Sequence, residues 1–589
     1  MAGAKSKRIS HLHPLKTSIA LKNGIHVDCW SYALSVMLEK MHSCTLMTKL
    51  RAILLMEADF NFSNKIVYGV RMMDNASKYG LMPEEMYSEK NKIVDNGTLA
   101  KVLFFYITRQ TRLSAGLSSV DAANCYDAVA HVIASLTFQA FGVPEEAVQS
   151  MLSAIEEMKY FLRTAYGDSK NFRGSKLEFK FQGLYQGNGA APAGRAVVSI
   201  TILGAHKRKG HEAHFICPIS RRTGHLLAIS FVDDTDLIHV DMSKTQSALE
   251  AHVDLQESVD NWGRLLIASG GSLKPEKCFF YLISFGWKAD GQWSYQSNVN
   301  KKDFALGVPM PGGDVTEIEH LKVDVAKEML GVKVCPTGAA VVQFLSMKKK
   351  AQQWIDRARE SKLQRRDIWF LVDRQLWPKL GYGLCSVIAL WKDLVQVFKK
   401  TWWQLILLSG VIRSAPRDLR QLSRGFYGIG CPHPGVECFV QQINKLQAHY
   451  GCKPNLGLKL NVLLDLLIVE LGTSSQPFRE SFKKYGKQAT WSWLASLWEK
   501  CDKFKVAVEL NVLSLRLPRE GDMWIMKLFE QKGFGAADLA RLNKVKLHQQ
   551  VLFLSCVLGA TGKLLDMKYM SKTKDDEDWS TINFPQERP

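Results

Sequence analysis

Apolar and turn-forming residues alternate along the first part of the chain in a way that predicts short strands followed by helices. Residues 49–61 (KLRAILLMEADFN) predict a strand and then a helix. Residues 97–112 (GTLAKVLFFYITRQTR) predict a helix, because their apolar positions recur at helical spacing. Residues 116–142 predict a strand, a turn and a helix that Gly142 ends. A further helix is predicted after Val143, where one proline and two glutamates suit the first turn.

The pattern continues through five more segments. They are a strand at 158–167, a glycine-rich loop and helix at 181–204, a hairpin at 226–240, a helix at 257–271 and a strand at 278–287. This order predicts an α+β architecture, with a sheet that carries helices on one face. Beyond about residue 340 the pattern predicts an almost wholly helical chain, and the polar residues 571–589 are predicted to be disordered.

The hairpin at 226–240 (LLAISFVDDTDLIHV) places Asp233 and Asp234 side by side in an apolar run. Neighbouring ionised carboxylates beside an apolar layer are destabilising unless a cation or hydrogen bonds compensate them. A hairpin turn that faces water fits this stretch. A turn that aims two carboxylates at a divalent metal fits it equally well.

The charge balance of the chain indicates what kind of partner it binds. The 589 residues carry 77 Lys and Arg against 57 Asp and Glu, a formal net charge of +20. Such a surplus suits a polyanionic partner, most often nucleic acid, although an anionic membrane surface fits as well. Residues 341–424 hold 17 Lys or Arg against 6 Asp or Glu, interleaved with tryptophans. A basic helical module that grips a phosphate backbone explains this segment better than solvated helix faces do.

No stretch of about 20 apolar residues predicts a membrane span. The 12 cysteines are scattered singly without a CxxC pair, which favours reduced thiols inside a cell. The first 27 residues are basic and lack acidic residues, as in a basic arm or an organelle transit peptide. We therefore expect an intracellular protein, in the nucleus or cytoplasm or in an organelle.

A third acidic residue changes the interpretation of the Asp-Asp turn. Asp121, in SSVDAANCYDAVAH, ends an apolar strand, and Tyr126 follows in the same turn. Two-metal phosphoryl transfer needs carboxylates from more than one strand. Taken alone, Asp121 is more commonly a helix cap.

The full series of segments resembles the palm of reverse transcriptases. VDAANCYD, YQGNGAAPAG, FVDDTDL, GGSLKPEKC and EMLGV follow the order and spacing of that family's motifs A to E over about residues 46–335. The resemblance is closest to non-LTR retroelements and group II introns. The F-x-D-D form behind a Gln-Gly loop favours a reverse transcriptase over an RNA-templated RNA polymerase.

The resemblance implies roles for the acidic residues. Asp121 and Asp233 would be the pair that holds two Mg²⁺ (or Mn²⁺) ions, and Asp234 would complete the acidic turn as a further ligand. Lys277 matches the lysine that balances or protonates the pyrophosphate, although a solvated surface lysine fits it equally well.

It also implies contacts with the substrates. Tyr126 matches the aromatic residue under the sugar that selects deoxynucleotides, with a core tyrosine as the alternative. Gln186 and Gly187 match the loop beside the template-paired nucleotide, where glycine permits a close backbone approach. Arg51 matches a fingers arginine that contacts the triphosphate, and residues 330–332 (LGV) match the primer grip.

Two departures concern the fingers and the Gln-Gly loop. Ala191 stands before Pro192 where the family usually has serine. Glu89 stands where a basic residue is expected, with Lys90 beside it. An acid facing phosphates would repel them, so closure of the fingers is the step least supported by the sequence.

The implied fold is an α+β right-hand polymerase of fingers, palm and thumb with an α-helical C-terminal extension. The predicted units are a basic N-terminal extension at 1–45, fingers and palm at 46–320, primer grip and basic thumb at 321–425, a helical C-terminal domain at 426–570 and the tail at 571–589.

The implied function is RNA-directed DNA polymerisation for a retroelement, with RNA template, DNA primer and deoxynucleoside triphosphates as partners. An inactive, maturase-like RNA-binding protein is the alternative, and an RNA-dependent RNA polymerase is a second rival. The oligomeric state stays open.

Overall fold

The computed structural model describes most of the chain. The described residues are 6–40, 46, 50–89, 94–164, 167–174, 182–209, 212–244, 246–287, 293–296, 304–412, 414–452, 455–473, 476–510, 519–548, 551–559, 561–563 and 565. The predicted tail at 571–589 and Lys90, the basic neighbour of Glu89, lie outside this part.

Strands and helices alternate in the first part of the fold. In chain order they are α1 (Lys7–Asn23), β1 (Tyr32–Glu39), β2 (Leu50–Met56), α2 (Ala58–Asn64), α3 (Met73–Lys78), α4 (Asp95–Thr111), β3 (Ala115–Asp121), α5 (His131–Ala140), α6 (Glu145–Glu156), β4 (Lys159–Thr164), β5 (Gly167–Arg173) and α7 (Ala191–Lys207). A π-helical stretch, Lys65–Met72, joins α2 to α3.

Short strands then lead to the helical part of the chain. They are β6 (Ala213–Ile216), β7 (Thr223–Leu226), β8 (Ala228–Phe231), β9 (Asp234–His239), then helix α8 (Ala248–Ala268), β10 (Phe279–Ile283), β11 (Phe285–Trp287), β12 (Trp293–Tyr295), β13 (Gly307–Pro309), β14 (Val315–Glu317), β15 (Glu319–His320), β16 (Lys327–Met329) and β17 (Val332–Val334). All the strands and helices predicted between residues 49 and 287 are confirmed, although α8 begins earlier, at Ala248.

The remaining elements are helices. They are α9 (Val341–Glu360), α10 (Arg365–Leu371), α11 (Trp377–Gly381), α12 (Trp391–Leu408), α13 (Arg417–Gln421), α14 (Pro434–His449), α15 (Asn455–Leu471), α16 (Phe482–Tyr485), α17 (Trp493–Phe504), α18 (Ile525–Gln531) and α19 (Ala536–His548). The prediction of an almost wholly helical chain beyond residue 340 is therefore confirmed for the described residues.

Two main sheets organise the first 335 residues. One has the strand order β2-β1-β4-β5, and the other has the order β15-β10-β3-β9-β8. The segment 1–45 contributes α1 and β1, and β1 pairs with β2 on one side and β4 on the other. Lys16 of α1 forms a 2.8 Å ion pair with Asp59 of α2. These basic N-terminal residues are thus in contact with the first sheet and its helices.

The prediction of helices on one face of the second sheet is wrong. Ile238 and Tyr281 belong to the apolar core that includes residues of α4, whereas their neighbours Leu237 and Phe280 belong to the core that includes residues of α8. Because side chains alternate along a strand, both faces of this sheet are apolar and both are covered.

Helix α4 connects the second sheet to the C-terminal helices. From Gly97 to Thr111 its residues are buried on every side, which is the pattern of a helix enclosed by protein. Helix α15 packs along it, and Lys459 of α15 donates a hydrogen bond to the Ala100 carbonyl. The C-terminal helices are therefore part of the same packed body as the sheet.

No described helix combines the length and the apolar character needed to cross a membrane. The described cysteines are all free thiols.

The buried amine of Lys459 generates a prediction about stability. Burial lowers the pKa of Lys459 from 10.5 to about 7, although the negative charge of Glu85 acts to raise it. Between these values the unfolded chain holds a proton that the folded protein lacks, so stability rises with pH across this window. We expect Lys459→Met to stabilise the protein by roughly 3 kcal/mol near pH 6 and much less near pH 10. Thermal melting across pH checks this, with the exposed Lys350→Met as the control; equal gains at both pH values would contradict it.

Candidate active site

The pairing of β3 with β9 brings two of the predicted carboxylates together. Asp121 and Asp234 are direct cross-strand partners in this antiparallel pair. Asp233 lies in the turn just before β9, and its carbonyl accepts a 3.3 Å hydrogen bond from the Ala122 N–H. Positions 121 and 233, although 112 residues apart in the chain, therefore lie on adjoining backbone segments.

The turn that carries Asp233 is strained. Val232 has φ of +59°, in the left-handed region that a β-branched residue rarely adopts. Such conformations persist where the surrounding structure enforces them, and they concentrate at functional sites. The β8–β9 pairing on both sides of the turn supplies that enforcement.

Lys277 lies against the acidic pair. Its Nζ is 2.7 Å from Oδ2 of Asp121, and this hydrogen bond raises the pKa of Lys277. The turn that presents it is fixed to the same strand, because the Lys274 N–H donates to the Asp121 carbonyl at 3.0 Å. The Lys277 side chain remains 53% exposed, so it is free to reach another anion in the cleft.

The carboxylates repel one another. Withdrawal from bulk water raises the pKa of Asp234 to about 6, together with the charges of Asp233 and Asp121. Burial also raises the pKa of Asp233, an effect that the guanidinium of Arg195 opposes. Arg195 lies on α7 and is buried. A divalent cation would relieve this repulsion, since it favours the ionised form of every carboxyl that faces it.

A further ion pair lies directly beneath the site. Lys101 of α4 donates a 2.9 Å hydrogen bond to Oδ1 of Asp236, and both side chains are less than 5% exposed. The second oxygen of Asp236 has no hydrogen-bond donor among the described residues. Asp236 stands two residues after Asp234, so both side chains face the same side of β9. Neither Lys101 nor Asp236 was predicted, although the sequence VDDTDL displays the third aspartate.

A cavity of about 280 Å³ is lined by Asp121, Asp234, Asp236 and Lys277. Its walls come from β3, β8, β9 and β10 of the sheet, and from the β16–β17 hairpin opposite. Leu330 and Gly331 form the two-residue turn of that hairpin with φ of +49° and +85°, as short hairpins require. The predicted primer-grip segment thus lies beside Asp121 and Asp234.

The Gln-Gly loop is held against β2. The Leu54 N–H donates a 2.7 Å hydrogen bond to the Gln186 carbonyl. Gly187 has φ of +123°, and a Cβ added there would overlap the Leu54 carbonyl oxygen. Asn61 of α2 donates to the Gly187 carbonyl at 3.1 Å. The structure thus places the Gly187 backbone against β2, and its predicted approach to a template-paired nucleotide stays a prediction. Ala191, the departure from serine, begins α7.

His131 fixes the other end of this loop. Its Nε2 is 2.9 Å from the Gly183 carbonyl, and its Nδ1 is 2.9 Å from Oε1 of Glu156. The Leu184 N–H also donates to the Tyr126 carbonyl at 2.8 Å. No local pattern in the sequence singles out His131, because its two partners come from distant segments.

Tyr126 lies close enough to Asp233 and Arg51 for both charges to affect its hydroxyl. Burial raises the pKa of the half-buried Tyr126, and the charge of Asp233 contributes to this rise while Arg51 opposes it. Arg51 is exposed on β2. Glu89, the acid in the fingers segment, accepts a 3.0 Å hydrogen bond from Ser77.

The donor chemistry of the site suits a hard cation such as Mg²⁺, because oxygen ligands from carboxylates are what it prefers. Within the described ranges, however, no three His, Cys, Asp or Glu side chains are gathered in a ready-made metal site. At present the Lys277 ammonium compensates the charge of Asp121. Ion binding would therefore require a small rearrangement of these side chains.

The sequence profile of the family described as "Reverse transcriptase (RNA-dependent DNA polymerase)" matches residues 39–334. No curated protein sequence matches the chain.

Three solved structures resemble the fold. They are telomerase from Candida albicans in complex with a TWJ fragment of telomeric RNA (10% identity, TM-score 0.35, 78% of this chain and 66% of that one), the corresponding complex from Candida tropicalis (10%, 0.33, 76% and 67%) and an apo Candida tropicalis telomerase truncated from its C-terminal domain (11%, 0.29, 52% and 60%). The chain thus spans about two thirds or less of the length of these proteins.

The raised pKa of Asp234 predicts a pH-dependent stability. Between its ordinary value of 3.8 and about 6, the folded protein holds a proton that the unfolded chain has released. Stability in the absence of metal therefore falls as pH rises through this window. We expect Asp234→Asn to raise the melting temperature at pH 8 but not at pH 4, and excess Mg²⁺ to reduce the difference.

Glu276→Gln is the control for this experiment. Glu276 lines the same cavity, but a hydrogen bond from its own backbone N–H lowers its pKa. Its removal should give no gain at pH 8. A gain that is the same for both variants would show that general charge reduction, and not crowding at Asp234, is responsible.

The contact between Gly187 and β2 predicts a strict requirement for glycine. We expect Gly187→Ala to destabilise the protein by about 2 kcal/mol or more, because it adds both φ strain and an overlap with the Leu54 carbonyl. Gly204→Ala is the matched control, since a Cβ at that position in α7 meets nothing within 4 Å. It should stabilise the protein by about 0.5–1 kcal/mol. Urea denaturation measures both; equal effects would refute the requirement.

Proposed function

Because this chain belongs to the reverse transcriptase (RNA-dependent DNA polymerase) family, we propose that it is an RNA-directed DNA polymerase that extends a primer with deoxynucleotides on an RNA template. Membership of this family implies a right-hand polymerase fold, and the mixed sheet and helix content agrees with it. We propose further that the chain derives from a retroelement of the non-LTR or group II intron lineage, as the form of its motifs suggests.

The pairing of Asp121 with Asp234, with Asp233 at the adjoining turn, is the observation that carries the proposal. These three residues would hold two Mg²⁺ or Mn²⁺ ions. When bound, the ions supply activation of the primer 3′-hydroxyl and neutralisation of the pyrophosphate. The strained turn and the β3–β9 register fix the backbone that carries the carboxylates, so that only their side chains would have to rearrange around the ions.

The remaining residues of the cleft position the substrates. Lys277 lines the cavity and, once released from Asp121, would contact the pyrophosphate and supply a positive charge or a proton. Tyr126 would lie under the sugar and exclude a 2′-hydroxyl. The loop at Gln186 and Gly187 would support the template-paired nucleotide, and Arg51 would bind the triphosphate from β2.

An RNA-binding protein without polymerase activity is the second candidate. The ion pair between Lys277 and Asp121 favours it, because a protein cation already compensates one of the ligating carboxylates. Such a maturase-like protein would bind structured RNA through the basic residues 341–424. In both cases we propose that the chain acts inside the cell on RNA.

Primer extension on poly(rA)/oligo(dT) tests the proposal. We expect extension that requires Mg²⁺ or Mn²⁺ and stops with a chelator, and that falls at least about a hundred-fold in Asp121→Asn and Asp233→Asn. Asp538→Asn, which removes an ion-paired carboxylate on α19, should retain full activity. RNA binding with a steep salt dependence but no extension by the unaltered chain would instead establish the RNA-binding candidate.

The preference for dNTPs or NTPs distinguishes the proposed DNA polymerase from an RNA-dependent RNA polymerase. The unaltered chain should incorporate dNTPs in preference to NTPs, and Tyr126→Ala should reduce this preference by admitting the 2′-hydroxyl. Incorporation of NTPs in preference to dNTPs by the unaltered chain would assign the activity to RNA synthesis.

A further inference from the structure

Two adjacent aromatic side chains are exposed on a loop far along the chain from the palm motifs. Phe426 is 72% exposed and Tyr427 is 95% exposed. They lie in the sequence SRGFYGIG, residues 423–430, which follows α13 and is named here the aromatic loop. Two exposed aromatic rings at neighbouring positions leave their apolar faces in water. A ligand with flat apolar faces would stabilise such a loop by covering them.

The aromatic loop is firmly built. The Ile429 N–H donates to the Leu419 carbonyl at 2.9 Å, and the Cys431 N–H donates to the Arg420 carbonyl at 2.7 Å. A Cβ added at Gly428 would overlap the Leu422 backbone, so the loop is closed tightly against the end of α13. The rings are therefore displayed by a fixed backbone.

A basic groove lies next to this loop. It runs between α9 and α12 and has a volume of about 760 Å³. Its charged lining consists of four lysines, two from each helix: Lys348, Lys349, Lys399 and Lys400. Glutamine side chains, Thr401, Trp403 and Leu407 complete the lining, and among the described residues no acidic side chain belongs to it. The lysines suit the phosphates of a nucleic-acid backbone, and the neutral side chains between them suit hydrogen bonds to the same backbone.

Helix α13 connects the groove to the aromatic loop. The guanidinium of Arg420 in α13 lies 4.7 Å from the ring centroid of Trp403, which lines the groove. Arg424, at the base of the aromatic loop, forms a 2.6 Å ion pair with Asp373 and lies 6.0 Å from the Trp369 ring. The groove and the loop are thus neighbouring parts of one basic surface.

We propose that the aromatic loop is a stacking platform for unpaired bases of a single-stranded RNA whose phosphates lie in the α9–α12 groove. The proposal rests on the RNA template that the proposed function assigns to this chain. Lysine grooves flanked by exposed aromatic rings bind single strands, because every unpaired base offers a π-face. Bases inside a duplex have no free face, so the platform selects unpaired RNA.

Charge decides between RNA and a protein partner for this surface. The surrounding residues 341–424 carry a surplus of +11 from 17 basic and 6 acidic residues. The arginines Arg420 and Arg424 lie within the aromatic loop or immediately before it. An apolar protein interface is depleted in charge at its centre, whereas here the two aromatic residues directly follow a segment with a large basic surplus.

Binding of a fluorescent single-stranded oligo(rU) to the full chain, without nucleotides, tests this. The double variant Phe426→Leu/Tyr427→Leu keeps apolar side chains but removes the π-faces. We expect it to bind the single strand about ten-fold more weakly. Its affinity for a fully paired RNA duplex and the slope of its salt dependence should stay unchanged, because the phosphate contacts remain.

Two control variants sharpen the result. Phe426→Trp/Tyr427→Trp restores ring faces and should bind like the unaltered chain. Lys348→Gln/Lys399→Gln should lower the salt slope for the single strand by roughly 1.4, at about 0.7 for each lysine. Thermal melting of the leucine variant should be unchanged, since the rings are exposed.

Unchanged single-strand affinity in the leucine variant would overturn the proposal. An equal loss of duplex affinity would overturn it as well, and so would a changed oligomeric state with intact RNA binding, which would indicate a protein interface. Asp121→Asn separates this proposal from the polymerase assignment: it should abolish extension and leave oligo(rU) binding intact.

Discussion

The antiparallel pairing of β3 with β9 is the constraint on which the candidate site depends. Its register sets Asp121 opposite Asp234 and places Asp233 at the turn. Carboxylates held this close destabilise one another, so the fold must compensate their charge. It does so with cations from three different elements: Lys277 from the turn before β10, Arg195 from α7 and, one layer deeper, Lys101 from α4. The acidic cleft is therefore inseparable from the helices that cover both faces of the sheet.

The C-terminal helices supply part of the same support. Lys500 and Lys546 are buried and donate hydrogen bonds to backbone carbonyls of their surroundings, as Lys459 does towards α4. Burial lowers the pKa of each of these amines. Arg112, at the end of α4, donates to Thr490, which connects this helix to the C-terminal segment by a polar contact as well. Loss of one partner from a buried hydrogen bond of this kind leaves an unpaired polar group, which lowers the free energy of unfolding strongly. These hydrogen bonds therefore favour a single arrangement of the C-terminal helices on α4.

Local patterns predicted most of the elements, because strand alternation, helical spacing and turn residues act over a few positions. The strand ending at Asp121, the hairpin at 226–240 and the helix over 97–112 all lie where the spacing put them. The cover on both faces of the sheet was not predicted, since a strand such as β10, apolar on both sides, does not state which helices will pack on it. The bounds of all five predicted units remain predictions, as do the roles of the site residues.

The order of the elements, the acidic turn, the basic surplus and the motif series of the family can all be recognised in the amino-acid sequence alone. Which charges meet can be seen only in the folded chain. Asp236 finds Lys101 across 135 positions, and His131 reaches Gly183 across 52. The exposure of Phe426 and Tyr427 likewise follows from how the loop closes on α13. The physical reason is that a local sequence pattern reflects interactions between residues a few positions apart. Desolvation and charge compensation, in contrast, depend on every chain segment that packs around a residue.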